Sequence, residues 1–88
     1  MKKQTYAHPA IITKLHPATD TKGTRISAAV GTKRIYVGYD HQLSAFENHE
    51  FAMWNLVAIL RLNTDSYWVG GSTKDGYVWV DASEIVER

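Results

Sequence analysis

One segment of this chain, residues 45–62, has the hydrophobic spacing of an α-helix, and it is apolar on two sides. At about 100° per residue, a broad first face is formed by Ala45, Phe46, Ala52, Met53, Leu56, Val57, Ile59 and Leu60. A second stripe lies roughly opposite and consists of Phe51, Trp54, Ala58 and Leu62. A domain of 88 residues has material to cover only one of these faces. Because large exposed apolar patches mark interaction sites, the second stripe predicts contact with a protein partner or with a second copy of the chain.

The start of this helix is well marked. Ser44 and Glu47 fit the capping box, in which the serine oxygen accepts a free backbone N–H and the glutamate bonds back to the serine N–H. Asn63-Thr64-Asp65 predicts the end of the helix. The helix is therefore expected to occupy the whole of residues 45–62.

The segments on either side of the helix are typical of β-strands. Before it, residues 10–15, 24–30 and 34–39 are rich in β-branched residues or alternate with a period of two. After it come two short strands, residues 67–69 and 77–80, with a loop predicted over residues 70–76. The order β-β-β-α-β-β predicts an α+β fold, a mostly antiparallel five-stranded sheet with one helix packed on one face.

We expect small side chains to face the helix, namely Ile26, Ala28, Val30, Val37, Val78 and Val80. The other face of the sheet then carries Arg25, Ser27, Tyr36, Tyr77 and Trp79. Aromatic rings among cations are typical of single-stranded nucleic-acid binders and equally of protein interfaces. Such rings also stabilise small sheets through cross-strand pairs alone. A nucleic-acid site would use Arg25, Lys33, Arg34, Tyr36 and Trp79. A protein interface would use Tyr36, Tyr77 and Trp79.

The composition indicates one folded domain over residues 1–88, with residues 1–8 as a loose N-terminal arm. Hydrophobic residues make up 44% of the chain and its net charge is only +1, which disfavours both an acidic mimic of nucleic acid and a strongly basic duplex binder. The basic start lacks the apolar run of a signal peptide, and the longest apolar run, residues 56–60, is too short to cross a bilayer. We therefore expect a cytoplasmic protein.

Candidate catalytic and metal-binding residues are few. There is no cysteine, and the four histidines, at positions 8, 16, 41 and 49, lack the close spacing of metal ligands. A pair formed by His41 and His49, together with Asp40 or Glu50, is the best metal hypothesis, but a hydrogen-bonded histidine under the first helical turn is the simpler interpretation. Ser44 has a capping role and no apparent catalytic base, which argues against a nucleophile. The expectation is a protein without enzymatic activity, metal or cofactor.

A second interpretation of the outer helix stripe needs no partner. The N-terminal arm, or the tail around Ile85 and Val86, would fold over Phe51 and Trp54 and bury them within the same molecule. The two interpretations differ in whether the indole of Trp54 is covered by this chain's own ends.

Several motifs resemble those of small open reading frames carried by phages, plasmids and other mobile elements. They are Ile12-Thr13-Lys14, Pro17 to Ala28, Val37-Gly38-Tyr39-Asp40-His41, a helix containing His49, and the ending Gly70-Gly71 to Gly76-Tyr77-Val78-Trp79-Val80. The resemblance covers most of residues 11–80 and implies a stoichiometric binder, such as an anti-CRISPR-like inhibitor of a host defence complex. The run Phe51-Ala52-Met53-Trp54 departs from the Ala-rich and charge-rich helices of that group, which indicates a binding surface particular to this chain.

Overall fold

A computed structural model of the protein describes residues 10–62 and 67–82. Its elements are β1 (Ala10–His16), β2 (Arg25–Val30), β3 (Lys33–Gly38), α1 (Ala45–Ile59), β4 (Trp68–Ser72) and β5 (Gly76–Asp81). The strands form one antiparallel sheet in the order β3-β2-β1-β5-β4, and α1 packs on it. The predicted α+β fold is confirmed. Residues 1–8 and the tail around Ile85 and Val86 lie outside the described residues, so the interpretation in which they cover the helix stays a prediction.

Strand β1 lies at the centre of the sheet because it pairs with both β2 and β5. The β2–β3 hairpin turns through two residues, and the first of them, Gly31, has a φ of 57°, which glycine adopts without steric cost. The loop predicted over residues 70–76 is shorter than expected. Gly70 and Gly71 belong to β4, and only residues 73–75 form the turn, closed by a bond from the Thr73 N–H to the Gly76 carbonyl at 2.7 Å.

The core lies between α1 and one face of the sheet. The buried helix residues are Asn48, His49, Ala52, Met53, Leu56 and Val57. The sheet contributes Ile11, Ile26, Ala28 and Trp79 to the same cluster. The prediction of which helix residues are buried was correct at the centre of the predicted face. It was wrong at the flanks, where Ala45, Phe46 and Ile59 are exposed. The buried positions recur at i, i+4 and i+8, so they form a stripe narrower than the sequence pattern suggested.

The helix ends three residues earlier than predicted. Its last turn closes as a Schellman motif, in which Arg61 donates its N–H to the Ala58 carbonyl and Leu62 donates to the Val57 carbonyl. Arg61 takes the left-handed conformation that this motif requires, with a φ of 57°. The reversal turns Leu62 back onto the core, so Leu62 is not part of the outer helix stripe as predicted.

The orientation of β5 is the reverse of the predicted one. Tyr77 and Trp79 face the helix side of the sheet, whereas Val78 and Val80 pair with Ile12 and Ala10 on the other side. Trp79 pairs with Ile11 and is only 2% exposed. We call the side of the sheet away from α1 the open face, because no described element packs against it.

Candidate functional site

The outer stripe predicted for the helix divides into two parts. Phe51 is 53% exposed and Ala58 is also exposed, as expected of a contact surface. Trp54 is partly buried and packs against the core cluster, as does Leu62. An indole has enough reach to contact the core from the flank of a helix. Of the four predicted residues, Phe51 is therefore the main exposed apolar group, with Trp54 beside it.

A groove runs along this side of the helix. It has a volume of about 310 Å³ and is lined by Leu43, Glu47, Glu50, Phe51 and Trp54. We call it the outer groove. Its floor is apolar, and two carboxylate side chains stand along it. This surface combines exposed apolar side chains with negative charge.

Two sets of hydrogen bonds hold the loop that carries Leu43 against the helix. The predicted capping box is present: the Glu47 N–H donates to Ser44 Oγ at 3.1 Å, and the Ser44 N–H donates to Glu47 Oε1 at 2.9 Å. The second set is made by the buried amide of Asn48, which accepts from the Asp40 N–H at 2.8 Å and donates to the Asp40 carbonyl at 2.9 Å. The loop is therefore fixed before any partner arrives, which lowers the entropy cost of binding.

Two of the predicted sheet contacts, Tyr77 and Trp79, are not on the open face. Trp79 is buried, and its indole N–H donates to Thr13 Oγ1 at 3.1 Å. Tyr77 is partly buried, with its ring centroid 5.4 Å from that of Phe46 and 5.0 Å from that of His49. The alternation Tyr-Val-Trp-Val fits either orientation. The hydroxyl of Thr13 and the lack of a side chain at Gly70 favour the observed one, since Trp79 needs both a polar partner and space.

His49 is a hydrogen-bonded core residue. Its Nδ1 lies 2.8 Å from Thr13 Oγ1, and the residue is 4% exposed. Burial lowers the pKa of His49, so the ring is neutral near pH 7. His41 is exposed and its ring centroid lies 5.0 Å from that of Tyr39. Within residues 10–62 and 67–82, no three His, Cys, Asp or Glu side chains are grouped so that they could hold a metal ion.

The open face carries a basic cluster around Tyr36. Register places Lys14, Ser27 and Tyr36 side by side across β1, β2 and β3, and places His16 beside Arg25 in the next row. The Arg25 guanidinium lies 5.2 Å from the centroid of the Tyr36 ring. The predicted placement of Arg25, Ser27 and Tyr36 on this face is thus correct.

Two of these open-face residues, Lys14 and His16, were missed from the sequence. His16 Nε2 lies 2.8 Å from Ser27 Oγ, and its ring meets the Tyr36 ring edge-on at 5.3 Å. Burial, followed by the charges of Arg25, Lys14 and Arg34, lowers the pKa of His16. The alternation in β1 would have placed Lys14 and His16 together, once β1 was known to be the central strand. Lys33, by contrast, shares its side of β3 with Ile35, so it is displaced from this cluster.

No protein-family model matches this chain, and no significant similarity was found with curated proteins or with solved structures. The described helix is not long and apolar enough to cross a membrane. A functional interpretation therefore depends on the surfaces of this chain itself.

Proposed function

We propose that this protein is a non-catalytic protein-binding protein and that the outer groove is its docking surface. The observation that carries the proposal is the exposure of Phe51, an aromatic residue at 53%, beside the partly exposed Trp54 and the exposed Leu43. Aromatic residues are enriched in protein interfaces, where a few anchor residues supply most of the binding energy. Ala58 lies one turn further along the same side of the helix and extends the apolar surface.

The groove also indicates the chemistry of the partner. Glu47 and Glu50 line the groove beside its apolar residues, and none of the described lining residues is a lysine or arginine. A partner segment that places an apolar side chain against Phe51 and a lysine or arginine beside these carboxylates would match both features. Charge complementarity of this type raises the association rate and excludes wrong partners.

The resemblance to mobile-element reading frames supports a more specific form of this proposal. Such a protein would act in the cytoplasm of the host cell as a stoichiometric, anti-CRISPR-like inhibitor of a defence complex. An inhibitor of this class acts by occupying a surface of its target, so a preformed docking groove would be sufficient for the role.

The test is affinity capture from lysate of cells that naturally carry the gene, with two variants compared with the unchanged protein. Phe51→Ala removes the exposed ring and is expected to weaken capture by about thirtyfold, the loss typical of an interface hot spot. Tyr67→Ala removes a ring that is 64% exposed and lies outside the groove, so it serves as the matched control. Equal capture by both variants would contradict the proposal.

A second copy of the chain is the other occupant to test. Light scattering over a range of concentrations measures the mass of the protein alone. The proposal predicts a monomer that becomes part of a larger complex only with its target. A concentration-dependent dimer that Phe51→Ala dissociates would instead make the outer groove a structural homodimer interface.

A further inference from the structure

The charge on the three strands β1–β3 is of one sign. Together they contain four lysine or arginine residues, Lys14, Arg25, Lys33 and Arg34, and no aspartate or glutamate. The chain as a whole has a net charge of only +1. The positive charge is therefore local to this part of the sheet and does not reflect a generally basic protein.

The register of the sheet concentrates three of these cations on the open face. Arg34 lies opposite Ala29, Lys14 opposite Ser27, and Arg25 opposite His16, in three successive rows. A depression of about 360 Å³ lies next to the β2–β3 turn, and Lys14 and Arg34 both line it. Its other lining residues are small or apolar, namely Ala10, Ile12, Ser27, Ala29, Val30 and Gly31.

Tyr36 lies within this positive region and is 49% exposed. Its ring is held by the Arg25 guanidinium and by the edge of the His16 ring, so its orientation is fixed while much of its surface stays accessible. Arg25 Nε is buried and has no hydrogen-bond partner among the described residues. A buried N–H donor without a partner favours a hydrogen-bond acceptor placed beside it, and a phosphate oxygen is such an acceptor.

We propose that the open face is a binding site for single-stranded nucleic acid, in which Tyr36 stacks on a base and Lys14, Arg25 and Arg34 contact the phosphates. A ring fixed on an open sheet among cations is the usual construction of such sites. A duplex fits less well, because its bases are read by a helix or ribbon inserted in a groove and the open face is shallow. This site lies on the side of the sheet opposite α1, so it does not depend on the outer groove.

The probe is a short fluorescein-labelled oligothymidylate, whose binding is followed by fluorescence anisotropy at several salt concentrations. Three neutralised phosphates predict a slope of about −2 in a plot of log affinity against log salt. Lys14→Gln combined with Arg34→Gln is expected to weaken binding at least about tenfold and to reduce the slope to less than half. Tyr36→Leu is expected to weaken it at least about fivefold, the smaller effect of losing one base stack.

Matched controls change the same residue types elsewhere. Arg61→Gln removes one positive charge beyond the end of α1. Tyr67→Leu removes an exposed ring beside β4, at the sheet edge opposite the one that carries Tyr36. Both variants are expected to bind like the unchanged protein. A duplex of the same length and polyglutamate are the competing ligands. Absent or salt-insensitive binding to the oligonucleotide would overturn the proposal. So would equal binding of polyglutamate that Tyr36→Leu does not affect, because that outcome indicates an acidic protein as the ligand.

Discussion

Gly70 and Trp79 lie directly opposite each other in the β4–β5 pair, and the indole ring occupies the space that a side chain at Gly70 would need. A Cβ atom built at Gly70 would lie 2.7 Å from Cζ3 of Trp79. The ring cannot easily move away, because its N–H is bonded to Thr13 Oγ1. The glycine, the tryptophan and the threonine thus determine together which side of β5 faces the helix.

Gly70→Ala is expected to destabilise the protein by about 1–3 kcal/mol, the usual cost of overpacking a core. Gly71→Ala is the matched control, because a Cβ at Gly71 would have nothing within 4 Å. That neighbouring change is expected to be neutral or to stabilise by less than about 1 kcal/mol. Urea unfolding of both variants measures the difference, and similar stabilities for the two would show that the Trp79 ring does not need this space.

Thr13→Val is expected to cost about 1–3 kcal/mol of stability, because the indole N–H of Trp79 would lose its acceptor in a buried site. The Nδ1 of His49 would lose its partner as well. Thr13→Ser keeps the hydroxyl and loses only a methyl group, so it should be the more stable of the two. A melting temperature of Thr13→Val equal to or higher than that of Thr13→Ser would contradict the account of this polar cluster.

Stability is expected to decrease as the pH falls below about 6.5, the pKa of an unperturbed histidine. The pKa of His49 is lowered by burial, and that of His16 is lowered by burial and neighbouring cations, so the unfolded chain takes up protons before the folded one. The stabilisation is complete above that pH and is lost as the pH falls toward the folded-state pKa values, with a slope of at most about 1.4 kcal/mol per pH unit for each proton.

His49→Gln should remove part of this pH dependence, and His16→Gln should remove the remainder. Urea unfolding at a series of pH values, from neutral to mildly acidic, gives the slope for each variant. An unchanged slope in His49→Gln would mean that the buried ring does not resist protonation.

Arg61→Gly is expected to stabilise the protein by about 1 kcal/mol, because Arg61 pays the steric cost of a left-handed backbone in the Schellman motif. Arg61→Ala removes the same charge and keeps the unfavourable conformation, so it should give no gain. Thermal unfolding of the pair separates backbone conformation from charge. A gain in both variants would assign the effect to the charge of the arginine.

Local signals in the sequence predicted much of this fold. The spacing of apolar residues and the Ser44 and Glu47 capping box correctly predicted the helix start, and the order of elements was correct. The end of the helix was missed because the usual signal for such a motif is a glycine, and here an arginine takes the left-handed position. A conformation that a residue type rarely adopts leaves no recognisable pattern in the sequence.

The orientation of β5 could not be derived from alternation, because tyrosine and tryptophan alternate with two valines and either set can be buried. Which side of β5 faces the helix depends on residues from other strands, Thr13 on β1 and Gly70 on β4. The candidate sites were affected in the same way. Tyr77 and Trp79 were predicted on the contact surface but face the helix. Lys14 lies near Tyr36 on the open face because β1 pairs with β2, and that pairing cannot be derived from local sequence.

The central functional claim is that the outer groove contacts another protein, and site-specific photo-crosslinking tests it most directly. A photoreactive phenylalanine analogue at position 51, in cells that naturally carry the gene, should form a covalent adduct with one larger protein. The same analogue at the exposed position 67 is the control and should form none. No adduct from position 51, or equal adducts from both positions, would contradict the claim.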